Sequence, residues 1–188
     1  MAAFLRHLSL VLHRPREAFR GAAEEPRPWE GVLWGLLPAF LGLFLTAWAA
    51  TRRWFDPWYS GLAGLIFGGF WVLSLFSLAV SARLLGGRPK SASMVEASAL
   101  AWTPVLAGML AMTPVFLTTE GRNFAILQRP LLFAVMGAGT LWGALLSFLL
   151  FREVAGFTPR RALGGYLLSL VISGAAGTAA GVLFVWNH

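Results

Sequence analysis

An all-α membrane protein, a five-transmembrane-helix bundle with an N-terminal amphipathic interfacial helix, is the fold class that this sequence predicts. Three observations predict it. Five stretches of about 20 apolar residues are separated by short loops that hold nearly all the charge, and a bilayer core about 30 Å thick needs about 20 helical residues to cross it. Hydrophobic residues make up 57% of the chain, charged ones 12%, and the mean hydropathy is +0.69, whereas a soluble domain carries about 25% charged residues. The runs are too long for membrane β-strands and show no polar–apolar alternation, which leaves helices as the way to satisfy the backbone in lipid.

Residues 1–30 form a polar leader and 31–188 the transmembrane domain. In the leader, Phe4, Leu5, Leu8, Val11 and Leu12 recur at helical spacing around Arg6, His7 and Ser9. That pattern predicts a helix lying on the cytoplasmic lipid surface. Pro15 suits the first turn of a second short helix, Arg16 to Ala23. Its functional reading is a docking helix for a soluble partner, its plainer one a membrane-surface element. Pro26 and Pro28 stop regular helix before Trp29, so the first span is expected to open at Glu30 or Gly31.

The spans fall at Gly31 to Ala50, Gly61 to Ala82, Ala97 to Thr119, Leu131 to Phe151 and Leu163 to Trp186. Trp29, Trp48, Trp54, Trp58, Tyr59 and Trp186 sit near span ends, where such rings anchor at the headgroup level. The pairs Gly31/Gly35, Gly64/Gly68, Gly139/Gly143 and Gly177/Gly181 have the spacing that lets helix backbones approach closely. The third span carries Thr103-Pro104 and Thr113-Pro114, so kinks are expected at Pro104 and Pro114, and a bent helix can serve as a hinge or line a cavity.

The chain has a net charge of +7 and an isoelectric point near 11.5, but the placement of the charge excludes a nucleic-acid partner in favour of a membrane. Arg6, Arg14, Arg16, Arg20, Arg27, Arg83, Arg88, Lys90, Arg152, Arg160 and Arg161 fall on one side of the predicted topology, against Arg52, Arg53, Arg122 and Arg129 on the other. The positive-inside bias therefore places the N-terminus in the cytoplasm and the C-terminus outside. On the cytoplasmic side, Arg6, Arg14, Arg16, Arg20, Arg88, Lys90, Arg160 and Arg161 are candidates to bind anionic lipid or a protein partner.

Catalytic constellations fail on residue supply. His7, His13 and His188 lie outside the spans, no span holds paired carboxylates, and there is no cysteine. Neither a nucleophile–histidine dyad nor a His- or Cys-based metal centre can be assembled at depth, and no phosphate-binding glycine loop is present. The expectation is no enzyme, no metal and no cofactor. Among the acidic residues Glu96 alone sits at a span margin. It reads as a solvated or snorkelling carboxylate near Arg88 and Lys90, with a proton or cation site as the sharper alternative.

Three segments carry a family resemblance. The leader LVLHRPREAFRGAAEEP has a proline before a short helix; five close spans follow; and RLLGGRPKSASMVEASALAWTPVLAGML holds the double glycine Gly86-Gly87, a basic serine-bearing turn and the step Ala101-Trp102-Thr103-Pro104. In this the chain resembles the Yip family, named for proteins that interact with Ypt/Rab GTPases, and especially its bacterial members. The resemblance implies a five-helix bundle with no known catalytic centre, and in eukaryotic relatives binding of prenylated Rab GTPases. This leader is short, basic and rich in arginine, and for it the resemblance implies a membrane-organising or adaptor role in a bacterial inner membrane, with Gly86, Gly87, Glu96, Trp102, Pro104 and Pro114 as candidate functional or hinge residues. The expected partners are the bilayer, a protein partner or second copy, and anionic lipid. The competing function is a small transporter, channel or lipid-handling protein that uses the kinked third span, whose polar side chains are few for a hydrophilic path.

Overall fold

Proline decides where the leader's helices begin. The computed structural model describes residues 2–37, 41, 57–104, 107–108 and 129–186. Helix α1 (Ala2–His13) ends at Arg14, and α2 (Pro15–Glu24) opens with its proline in the first turn as expected. The next helix, α3 (28–37), starts at Pro28 itself. A proline at the first helical position has no intrahelical bond to lose, so it begins the helix two residues before the expected start.

Helix α4 (Pro57–Leu84) extends its predicted span at both ends and closes on the double glycine. Gly86 has φ +81°, its N–H donates to the Arg83 carbonyl at 2.9 Å, and the Gly87 N–H donates to the Ala82 carbonyl at 2.8 Å. This is a Schellman cap, and a side chain at Gly86 costs about 1–2 kcal/mol in that left-handed conformation. Gly87 meets Phe157, whose ring lies 2.8 Å from where a Cβ would stand.

The third predicted span opens earlier and breaks sooner than expected. Helix α5 (Ser91–Ala101) begins six residues ahead of Ala97, and the chain turns at Trp102, whose N–H is shared between the Ser98 and Ala99 carbonyls at 3.1 Å each. Pro104 cannot donate to the Leu100 carbonyl and its ring crowds that turn, so the helix yields just before it. Pro114 lies outside the described residues. Helix α6 (Arg129–Leu149) passes into a π turn, Leu150–Val154, so regular α-helix stops two residues short of the predicted end at Phe151. Gly156, with φ +70°, lets the chain reverse into α7 (Pro159–Trp186), which starts four residues before Leu163.

Among the described residues every regular element is helical. Helix α4 packs along α7, where the Ser173 hydroxyl donates to Ser77 Oγ at 2.8 Å. One buried apolar cluster joins Val11, Ala18, Phe19 and Ala22 of the leader to Leu78, Leu100, Leu146 and Phe151. It sits where α2 crosses α5, α6 and the π turn. The outer faces are strongly apolar: Phe76 on α4, Leu141 on α6 and Val171 on α7 are 59%, 75% and 67% exposed. Contiguous apolar surface of this kind belongs in lipid or an interface. By length and composition, Pro159–Ala179 is long enough to cross a membrane and Gly68–Leu84 is a shorter apolar helix.

Candidate functional site

Glu96, the carboxylate expected at a solvated margin, is fully buried. Its position on α5 places it beneath the leader, where water is replaced by three neighbouring elements. From α1, His7 Nδ1 meets Glu96 Oε1 at 2.7 Å, and from the start of α3 the Arg27 backbone N–H donates to Oε2. Gly21 of α2 lies directly against the His7 ring, and Gly31 lets α3 approach so closely that a Cβ there would stand 2.8 Å from Glu96 Cα. A buried carboxylate needs its oxygens satisfied, and here one oxygen is held by a side chain 89 residues distant in sequence.

His7 corrects the expected orientation of α1 as well. Of the apolar stripe placed by spacing, Val11 is buried and Leu8 packs on the core, while Leu5 and Leu12 are 53% and 57% exposed and the polar His7, four residues before Val11, is buried instead. The helix turns its His7–Val11 face onto α2 and α5 rather than lying alone on a surface. Beside it Phe19 fills the junction of α2 with α5 and the π turn at 0% exposure, Ser93 Oγ donates to the Ala23 carbonyl at 3.4 Å, and Arg20 bonds Glu153 at 3.3 Å. The last pair is largely exposed on its arginine side and adds little to stability.

Around this sealed junction the predicted cations are all exposed: Arg6, Arg14, Arg16 and Arg20 on the leader, Arg88 and Lys90 on the α4–α5 turn, and Arg160 and Arg161 at the start of α7. Arg14 bonds Glu17 at 3.3 Å, and the Arg161 guanidinium lies 5.9 Å from the centre of the Phe157 ring. Phe157 in turn stacks on Phe151 at 6.1 Å. These contacts bring the α4–α5 turn and the head of α7 together, since a Cβ on Gly86 would stand 3.9 Å from Arg161 Nη2. Trp102 is half-buried at the break in α5, and Thr103 beside it is buried.

The glycine pairs divide. Gly31 and Gly35 take part in close approaches, the second against the Trp71 ring. Gly139 lies near the Pro104 carbonyl, at 3.8 Å from a built Cβ, whereas no described residue stands within 4 Å of one at Gly143 or Gly177. Gly68 is half-buried on α4; the surroundings of Gly64 and Gly181 are outside the description. Spacing had not singled out Gly21, Gly87 or Gly165, each of which lies against an aromatic ring.

Helices with exposed apolar faces, joined by a buried polar junction under the leader, suit an integral membrane protein of the all-helical class. The model of the Yip1 domain matches residues 9–181, and the chain belongs to that family. No curated protein and no solved structure matches it.

Proposed function

We propose that the protein is a non-enzymatic adaptor of a bacterial cytoplasmic membrane, whose cytoplasmic face gathers a protein partner or anionic lipid. The observation that carries this reading is the docking of the leader. Because His7 and Phe19 tie α1 and α2 to α5 and the π turn, Arg14, Arg16 and Arg20 stand on a fixed scaffold rather than a loose tail. Fixed cations lose less entropy on binding than mobile ones. Arg88, Lys90, Arg160 and Arg161 extend the same basic surface from the two adjoining turns, and each cation near an anionic surface contributes about 1 kcal/mol. Exposed Leu5 and Leu12 are suited to dip into the headgroup layer.

The test is co-purification from native membrane in mild detergent, with proteins and lipids identified by mass spectrometry. Replacing Arg14, Arg16, Arg160 and Arg161 together by Ala is expected to lower recovery of an acidic partner or anionic lipid at least tenfold. Recovery equal to that of the native protein removes the adaptor reading.

In this proposal the chain crosses the membrane five times, with the N-terminus in the cytoplasm and the C-terminus outside. The Gly64/Gly68, Gly139/Gly143 and Gly177/Gly181 faces pack helices within the bundle or between two copies, and the break at Trp102 and Pro104 acts as a hinge. A chain without native thiols makes the topology directly testable. Single cysteines at Ser9, Ser91 and Thr158 are expected to label from the cytoplasm, and those at Ser60 and Thr119 from outside. Any reversal of this alternation refutes the five-span arrangement.

A further inference from the structure

The charge and shape of one groove point beyond the basic face. Along α4, Val72, Leu75, Phe76, Ala79 and Arg83 recur at helical spacing, and this stripe faces Ser91, Met94 and Val95 on the first turns of α5. Between them is a cavity of about 310 Å³, open on one side, with Val72 and Phe76 on its rim at 54% and 59% exposure. All of its lining is apolar except at one end, where Arg83 and Ser91 stand beside Pro89. From Val72 to Arg83 the helix rises about 16 Å, close to half of a bilayer core about 30 Å thick.

A groove one leaflet long, apolar through its depth and cationic at its loop end, has the polarity of a single phospholipid. The described residues give Arg83 no acidic partner, and Lys90, at the N-cap of α5, makes no side-chain bond to that helix's first amide groups. We propose that this groove between α4 and α5 seats one acyl chain of an anionic phospholipid, with the lipid phosphate at Arg83. The site is separate from the adaptor surface, because none of its lining residues belongs to the cations assigned there.

Native mass spectrometry of the full chain in mild detergent, titrated with phosphatidylglycerol or phosphatidylcholine, tests this. One tightly held lipid is expected, with phosphatidylglycerol preferred. Arg83→Ala is expected to weaken phosphatidylglycerol about fivefold and phosphatidylcholine less, because the choline cation offsets the phosphate that Arg83 meets. Val72→Phe with Val95→Phe, which fills the groove, is expected to remove the tight adduct of either lipid. Arg83 is exposed, so its replacement disturbs no packing and the test stands even if the double variant fails to fold. A combined Arg160→Ala and Arg161→Ala variant is expected to keep the adduct, which separates this site from the basic face. Equal adducts in native and Arg83→Ala proteins overturn the proposal, as does loss confined to the Arg160 and Arg161 variant. Displacement of the lipid by millimolar inorganic phosphate also overturns it, by showing a simple anion site.

Discussion

Replacing Glu96 by Ala is expected to release the leader and raise trypsin cleavage after Arg16 and Arg20 about a hundredfold. The change removes both acceptors of a fully buried carboxylate, leaving the buried His7 Nδ1 and the partly buried Arg27 N–H without their partner. An orphaned group costs about 1–3 kcal/mol, so the two together span about 2–6 kcal/mol; a loss of about 3 kcal/mol within that range, at tenfold per 1.4 kcal/mol, gives the cleavage ratio. Glu96→Gln separates hydrogen bonding from charge. Its amide oxygen can accept from Arg27 while its NH₂ donates to His7 in the other tautomer, so cleavage within about fivefold of native is expected. Gln behaving like Ala would show that the site depends on a charged pair. Native cleavage rates in the Ala variant would sink the docking role of Glu96 altogether.

Why Glu96 could be singled out in the sequence but not understood follows from where its partners are. A lone carboxylate at the edge of an apolar run is visible locally, and intramembrane acids invite attention. Its burial depends on His7 and Arg27, which lie in another part of the chain and carry no spacing signal linking them to α5. His7 shares the buried face with Val11 and Leu8 of the apolar stripe, whereas Leu5 and Leu12 of the same stripe remain exposed. A helix in contact with protein on one side and suited to lipid on another has two faces to satisfy. Apolar spacing alone cannot say which one meets the protein.

Features set by local stereochemistry were more legible. Pro15 opened α2 where expected, and regular helix is interrupted at Trp102, two residues before Pro104. The Gly31/Gly35 pair signalled close packing correctly. Within that pair only Gly31 meets another helix's backbone, at Glu96, while Gly35, like the unsignalled Gly21, Gly87 and Gly165, accommodates an aromatic ring. The π turn after Leu149 carried no sequence signal either; its Phe151 lies against Gly165 and stacks on Phe157, both beyond the turn.

Phe19→Ala is expected to be as disruptive as the loss of Glu96, and by a different physical route. Phe19 is fully buried with Ala18 and Ala22 on one face of α2, against α5, α6 and the π turn. Removing its ring costs about 3–5 kcal/mol through lost burial and the cavity left behind, and nothing else on this short helix is large enough to fill the space. Trypsin should again cut the leader about a hundredfold faster, and recovery of whatever the basic face binds should fall with it. Phe19→Leu should restore most of the protection, since volume rather than aromatic chemistry is what the site requires. The two routes meet in the double variant. If α1 and α2 dock as one unit, Phe19→Ala with Glu96→Ala will be cleaved little faster than either alone, because the first loss has already freed the second contact. Multiplication of the two rates would instead mean that the helices dock separately, and that the arginines of α2 keep their scaffold when the His7–Glu96 bond is lost.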